Sequence, residues 1–222
     1  MKSLFDINNP LMQGLSRIAD ILLLNLMFLI CCIPIITIGA AVTALHSVTM
    51  KMVKEEESGI IKSFFSAFAS NFRQATVIHL FFLLIGGLVF ADIWFAMYSV
   101  NDLGAMGYVL FAAAALVGVF SVLTLLYVYP LLARFENTVK RTLQLAFILS
   151  IRHLPITILI AAIAAIPIAA LMIPHEIVIA FLFLMGLLGF AAQAMAQGYL
   201  YRKVFDQYIP QEENETKSEV QA

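Results

Sequence analysis

Five polar side chains within long apolar stretches are the groups in this chain best placed to do chemistry. Polar and ionisable groups are costly in a lipid bilayer, so they are functional candidates by default. Two could carry protons, one could supply a carboxylate, and two could form hydrogen bonds between helices. The simpler interpretation is structural, with the histidines bonded to each other and the glutamines joining helices. The five residues are His46, His79, Asp92, Gln193 and Gln197.

A second group of candidates stands where apolar stretches begin. Arg17, Arg73 and Arg152 each precede such a stretch, and Asp20 follows Arg17 by three residues. That spacing puts Asp20 and Arg17 on one helical face and predicts a local ion pair. The arginines could form a cytoplasmic interface for a partner, or their side chains could reach lipid phosphates.

Patterns that indicate an enzyme or a cofactor are missing. The sequence has no glycine-rich phosphate loop with a lysine, no metal-binding His-Glu-x-x-His or Cys-x-x-Cys, and no Gly-x-Ser-x-Gly nucleophile motif. Cys31 and Cys32 are adjacent, and we interpret them as small apolar residues in a helix. Leu154-Pro155 resembles the end of the coupling loop of ATP-driven importers, but the acidic-Ala-Ala start is absent. We therefore predict a protein that is not an enzyme and binds no cofactor or metal.

The composition indicates a chain surrounded by lipid. Apolar residues make up 62% of the 222 residues and charged residues 12%, and the formal net charge is −1. A soluble domain of this size needs a more polar shell. The bilayer is therefore the predicted partner, and without a basic surplus we expect no binding to nucleic acid.

The pattern of apolar stretches predicts an all-α, polytopic transmembrane bundle of six spans. Residues 1–210 form one membrane domain, and the acidic segment 211–222 is predicted to be disordered. Lysine and arginine are absent from the connections Ser99–Gly104 and Pro174–Glu176. The positive-inside rule then places both termini in the cytoplasm. The first two spans are short, so a re-entrant hairpin is the alternative there. The predicted spans are 18–33, 37–53, 75–98, 106–132, 156–173 and 177–200.

Two amphipathic segments between the spans are expected to lie along the cytoplasmic surface of the membrane. They are Ile61–Phe72 and Thr138–Ile151, in which apolar residues recur at helical spacing. The segments match each other at an offset of 79, for example Arg73 with Arg152. This match suggests an internal repeat of helical hairpins. Stripes of glycine and alanine in the spans predict close helix packing, within one chain or in a homo-oligomer.

A set of short motifs resembles the YesL-like family of bacterial membrane proteins, a domain of unknown function. The resemblance implies a multi-pass protein of the bacterial plasma membrane, associated with carbohydrate uptake through neighbouring genes. It implies no catalytic or binding residues. The motifs are Asn9-Pro10-Leu11, Arg17-Ile18-Ala19-Asp20, Asn25-Leu26, Pro34, Thr37-Ile38-Gly39-Ala40, Thr43-Ala44-Leu45, Lys51-Met52-Val53-Lys54-Glu55-Glu56-Glu57, Ser63-Phe64-Phe65, Asn71-Phe72-Arg73-Gln74-Ala75 and Arg152-His153-Leu154-Pro155.

Three functions fit these observations. The leading hypothesis is a non-enzymatic accessory to carbohydrate uptake that contacts subunits of a sugar importer. The second is a proton-coupled or channel-like transporter of a small solute that uses His46, His79 or Asp92. The third is a membrane scaffold that arranges other proteins, in which the intramembrane polar residues matter only for stability.

Overall fold

The computed structural model describes residues 10–54, 59–172 and 174–208, and all their regular structure is helical. A π-helical turn, Met185–Gly189, joins the seventh and eighth α-helices. Short 3-10 turns occupy Ile35–Thr37, Ala170–Met172 and Asp206–Tyr208. The α-helices are α1 (Pro10–Cys32), α2 (Ile38–Lys54), α3 (Ile60–Leu103), α4 (Ala105–Arg134), α5 (Val139–Arg152), α6 (Leu154–Ala169), α7 (His175–Leu184) and α8 (Phe190–Phe205).

In the described part of the chain, six helical segments are long and apolar enough to cross a membrane. They confirm the predicted all-α, multi-pass bundle, and each overlaps one predicted span. Segment 211–222 and residues 1–9 of the predicted domain lie outside the described residues. The six segments are Gly14–Cys32, Ile35–Lys54, Ile60–Tyr98, Ala105–Arg134, Leu154–Met172 and Ile177–Tyr208.

The first amphipathic segment, Ile61–Phe72, is not a separate surface helix as predicted. It is the first part of α3, which runs without a break for 44 residues, a length of about 66 Å. The second segment is a separate helix, α5, which ends one residue before His153. Pro155 explains the difference, since a proline ring blocks helix continuation through the preceding turn. At the repeat offset of 79, Thr76 stands where Pro155 does, and α3 continues.

The apolar face of Ile61–Phe72 packs partly against the protein and not only against lipid. Phe64 is fully buried and Phe68 is partly buried, in a cluster with Leu24 of α1 and Val48 of α2. Phe65 stays exposed. The helical spacing was therefore interpreted correctly as amphipathic, but Phe64 and Phe68 contribute to the core.

Helix α2 is the centre of the bundle. Its most apolar stretch is 67% buried, whereas the other five membrane-type segments are 6–22% buried. Gly39 allows α2 to approach α3: a Cβ atom there would lie 2.7 Å from the carbonyl oxygen of Ala75 and 2.8 Å from Cβ of His79. The other end of α2 packs near the start of α3, where Met52 and Ile60 share a cluster. The two helices are thus antiparallel.

Helices α3 and α4 form a long hairpin that turns at Gly104, whose φ of 55° suits glycine. Val89 packs against Gly118 across the hairpin. The outer face of the hairpin is apolar and exposed, as at Leu84 and Phe90, where a lipid environment satisfies it. The turn of the hairpin thus lies within the predicted outer connection Ser99–Gly104, but that connection is shorter than predicted, because α3 continues to Leu103.

Asn25 of α1 joins the first span to the π-helical turn. It is fully buried, and its Nδ2 donates to the carbonyl oxygens of Gly186 (2.6 Å) and Met185 (3.3 Å). Its Oδ1 accepts from the backbone N–H of Ala191 at 3.0 Å. Gly186 and Ala191 are five residues apart, the spacing of a π-helical hydrogen bond. One side-chain amide therefore bonds both backbone groups where the helix is widened.

Replacing Asn25 should destabilise the bundle. Asn25→Leu keeps a similar volume but leaves the Gly186 carbonyl and the Ala191 N–H buried without their partner. We expect a loss of about 1–3 kcal/mol in the free energy of unfolding, measured by denaturation of the detergent-purified protein. Gln144→Leu, at an exposed position on α5, is the control and should change little. Equal stability of the two variants would contradict the assigned role of Asn25.

Candidate functional site

The two predicted glutamines act as ties between helices α8 and α6. Gln193 Nε2 donates to the carbonyl oxygen of Ile163 at 2.9 Å, and Gln197 Nε2 donates to that of Ile160 at 3.3 Å. Both bonds lie on one side of α8 and follow the antiparallel course of α6. The Oε1 atom of Gln193 is buried and has no hydrogen-bond partner.

His79 lies where helices α2, α3 and α4 meet. Its Nδ1 is 2.9 Å from the hydroxyl oxygen of Tyr129 on α4, and its Cβ faces Gly39 of α2. The Nε2 atom of His79 and the hydroxyl of Thr76, one turn earlier on α3, are buried without hydrogen-bond partners. This is a small polar site between helices, and it contains one titratable ring.

His46 occupies a different place, deep in α2. It is 6% exposed, and its ring meets the ring of Tyr201 edge-on at 5.5 Å. Its Nδ1 has no hydrogen-bond partner. Each histidine therefore contacts a different tyrosine, and the prediction that the two histidines bond each other is wrong.

Asp92 does not join the other candidates. It is exposed on α3, thirteen residues beyond His79 and so about 20 Å further along the helix. Trp94 and Tyr98 nearby are also exposed, with ring centroids 4.9 Å apart. Asp92 therefore lies on the outer surface of α3 and not in a polar interior.

A buried tyrosine network was missed in the sequence. Tyr201 and Tyr127 are almost fully buried, and their rings meet edge-on at 5.6 Å. The Tyr201 hydroxyl donates to the carbonyl oxygen of Leu126 at 2.6 Å. The Tyr127 hydroxyl is 3.0 Å from Oγ1 of Thr157, which also bonds the carbonyl of Ser150. The available signal was position, since Tyr127 falls within the predicted span 106–132, but Tyr201 lies one residue beyond the predicted span 177–200.

The candidate cytoplasmic arginines lie on the surface of the protein. Arg17, Arg73 and Arg152 are all exposed. Arg152 lies over the ring of Tyr208, with Cζ 5.6 Å from the ring centroid, and His153 Nε2 is 3.0 Å from the Tyr208 hydroxyl. The Arg17–Asp20 ion pair stays a prediction. The cytoplasmic interface of the three arginines stays a prediction, while Arg152 contacts the end of the described chain through Tyr208.

A polar cleft of about 810 Å³ lies between α2, the first part of α3 and the α4–α5 connection. We call it the polar cleft. Hydroxyl and amide side chains dominate its lining, together with three basic residues and one acidic residue. The lining residues are Ser47, Lys51, Lys62, Ser63, Ser66, Ala67, Ser70, Asn71, Gln74, Leu132, Ala133, Arg134, Phe135, Glu136, Asn137 and Thr138.

Two contacts hold the walls of the polar cleft in position. Gln74 Nε2 on α3 donates to the carbonyl oxygen of Asn137 in the α4–α5 connection at 2.7 Å. Arg134, at the end of α4, pairs with Asp206 beyond α8, with a nitrogen–oxygen distance of 3.6 Å. The cleft is therefore fixed by three separate parts of the chain.

The polar spacing on α3 was a sequence signal for one wall of the polar cleft, but it was interpreted as the polar side of a surface helix. Ser63, Ser66, Ser70, Asn71 and Gln74 recur at spacings of three and four residues, which places them on one side of a helix. This polar side was expected to face water, with Lys51 and Lys62 used only to orient the spans. This polar side could not be assigned to a cleft from the sequence, because the residues of the opposite wall lie about sixty positions later in the chain.

Comparisons with known proteins match part of the chain. A family model described as "Protein of unknown function, DUF624" matches residues 21–93, which is less than half of the chain. The matched part contains α2, most of α1 and α3, and the side chains of Asn25, His46 and His79. Neither a curated protein nor a solved structure matches. In the described part of the chain, no group of three or more His, Cys, Asp or Glu residues could hold a metal ion.

The hydroxyl of Tyr201 in the network should stabilise the bundle, whereas the hydroxyl of the exposed Tyr199 should not. Tyr201→Phe removes the hydroxyl that bonds Leu126 and leaves the carbonyl of Leu126 without that donor. We expect a loss of about 0.5–1.5 kcal/mol in the free energy of unfolding. Tyr199→Phe, on the same helix and 55% exposed, is the matched control and should be neutral. A larger loss in the control, measured by the same denaturation, would contradict the network.

Proposed function

We propose that this protein is a non-enzymatic accessory to carbohydrate uptake that uses the polar cleft to hold a subunit of a sugar importer. The observation that carries the proposal is a division of labour among polar side chains. Asn25, Gln193 and Gln197 join helices, while the hydroxyl and amide side chains of the polar cleft line open space, with Gln74 also bonded to the carbonyl of Asn137. An open, polar cleft is suited to binding.

The charges around the polar cleft support a cytoplasmic position for it. Lys51 and Lys62 line the cleft near the ends of α2 and α3, and Arg134 lines it at the end of α4. Basic residues at the ends of apolar helices favour the cytoplasmic side. In this proposal both termini are cytoplasmic, and the membrane is the bacterial plasma membrane.

The family resemblance supports the biological setting. The matched family is one of unknown function, and the finer assignment to YesL-like proteins is part of the proposal. It rests on the motifs in residues 9–75 and 152–155. In the proposed role the chain needs no cofactor and binds no nucleic acid. A homo-oligomer is compatible with this role.

Co-purification from the native membrane tests the accessory role. We expect the tagged chain, extracted in mild detergent, to retain a sugar-importer subunit that is identified by mass spectrometry. Ser66→Leu adds bulk inside the polar cleft and should reduce the recovered subunit severalfold. Ala69→Leu adds bulk on the same helix at an exposed position outside the cleft lining and should leave recovery unchanged. Failure of the unaltered chain to retain any importer subunit would contradict the proposal.

A second candidate, the proton-coupled or channel-like transporter, is favoured by three unpartnered buried atoms. They are Nδ1 of His46, Nε2 of His79 and Oε1 of Gln193. Buried polar atoms without partners are sites where water can bind or protons can move.

Proton flux into proteoliposomes that carry a pH-sensitive dye tests the transporter. This candidate predicts that His79→Gln lowers the flux severalfold, because glutamine cannot exchange a proton at that position. Asp92→Asn is the control, since Asp92 is exposed and far from His79 along α3. Flux no greater than in protein-free vesicles, or equal flux in the His79 variant, would remove the support for this candidate.

A further inference from the structure

The polar cleft has the size of a small-molecule site. Its volume of about 810 Å³ lies within the range typical of ligand pockets, roughly 300–1,000 Å³. Typical pockets have apolar walls, whereas the walls here are mainly hydroxyl and amide groups. A ligand that fits the cleft must therefore satisfy many hydrogen bonds and not only fill apolar space.

The neutral polar residues of the polar cleft can pair with a ligand that carries several hydroxyl groups. Serine and threonine hydroxyls both donate and accept, and each carboxamide offers two donors and an acceptor. Ser70, Asn71 and Gln74 already donate one hydrogen bond each to a backbone carbonyl and keep their oxygen atoms as acceptors. The neutral polar residues come from three parts of the chain, so they surround the ligand instead of contacting one side of it. The residues are Ser47 on α2, then Ser63, Ser66, Ser70, Asn71 and Gln74 on α3, then Asn137 and Thr138 before α5.

The described charges of the polar cleft favour an anionic group on that ligand. Lys51, Lys62 and Arg134 line it against the single acidic residue Glu136. Arg134 is already paired with Asp206. Of the three basic residues that line the cleft, Lys51 and Lys62 have no such ion pair with a described residue. Lysine ammonium groups are well suited to phosphate, which they bind as point charges.

We propose that the polar cleft binds a phosphorylated polyol, with the phosphate towards Lys51 and Lys62 and the hydroxyl groups on the serine and amide side chains. This inference deepens the proposed function, on whose cleft it rests. Two sources offer this chemistry. One is the headgroup of an anionic phospholipid such as phosphatidylglycerol, and the other is a free polyol phosphate.

Calorimetric titration of the purified full chain in neutral detergent distinguishes the sources. The probes are dioctanoyl phosphatidylglycerol, glycerol 3-phosphate, inorganic phosphate and glycerol. Binding of the short-chain lipid alone supports a headgroup site. Binding of glycerol 3-phosphate supports a site for the free compound, and in both cases we expect glycerol and inorganic phosphate to bind more weakly.

Matched charge variants test the position of the site. The double variant Lys51→Gln/Lys62→Gln should weaken binding at least about tenfold, since two charge-assisted contacts are lost. The control Lys140→Gln/Arg141→Gln removes the same charge from exposed positions on α5 that do not line the cleft, and its affinity should stay within about twofold. Ser66→Leu should also weaken binding, because it fills the cleft without changing the charge.

Several outcomes would overturn the inference. Equal weakening by the two double variants would show general attraction to a basic surface. Glycerol binding as tightly as glycerol 3-phosphate would show that the charges play no part, and absence of binding by either phosphorylated probe to the unaltered, folded chain would exclude the site. Importer capture that persists without such binding would leave the proposed function standing, while binding without capture would leave this inference standing alone.

Discussion

The need to satisfy every backbone polar group without water is the constraint on which this structure depends. In hydrocarbon an unpaired N–H or carbonyl costs several kcal/mol, so spanning segments are helical throughout and local departures need a partner. The π-helical turn at Met185–Gly189 is such a departure. The amide of Asn25 supplies the partner, with one donor contact to Gly186 and one acceptor contact from Ala191. The same amide thereby fixes α1 against the junction of α7 and α8, so a local requirement becomes a tertiary contact.

The lipid surroundings also make close packing necessary. Lipid tails are as apolar as the helices, so the hydrophobic effect does not drive one helix to pack against another, and van der Waals contact must do so. Helix α2 packs closely through small side chains, and Gly39 lets its backbone lie against Ala75 of α3. That approach places Cβ of His79 beside α2 while its ring reaches Tyr129 on α4. The central position of α2 thus determines where His46 and His79 lie. It also explains why they do not meet: His46 faces Tyr201 of α8 and His79 faces α4.

Much of the fold could be predicted because it depends on local composition. Six apolar stretches, the turn near Gly104 and the tie-forming role of the glutamines follow from apolar length, turn residues and polarity. The break between α5 and α6 could have been predicted from Pro155. At the corresponding position before it in the repeat, α3 has Thr76, and the helix continues. Contacts between distant segments could not be predicted. Nothing local indicates that Asn25 meets Gly186, or that the serine side of α3 faces Asn137 and not bulk water.

The positions of the polar cleft and the tyrosine network suggest how binding and stability are kept separate. The network buries Tyr127 and Tyr201 among α4, α6 and α8, and its hydroxyl groups are bonded to Thr157 and to the carbonyl of Leu126. The cleft instead lies where helices end, so its hydroxyl and amide groups can exchange water for a ligand at little cost. Arg134 borders the cleft, and its pair with Asp206 connects it to the chain beyond α8. The hydroxyl groups of the network are thus bonded within the protein, while the cleft combines side chains that line open space with two contacts, Gln74 to Asn137 and Arg134 to Asp206, that join its walls to the rest of the fold.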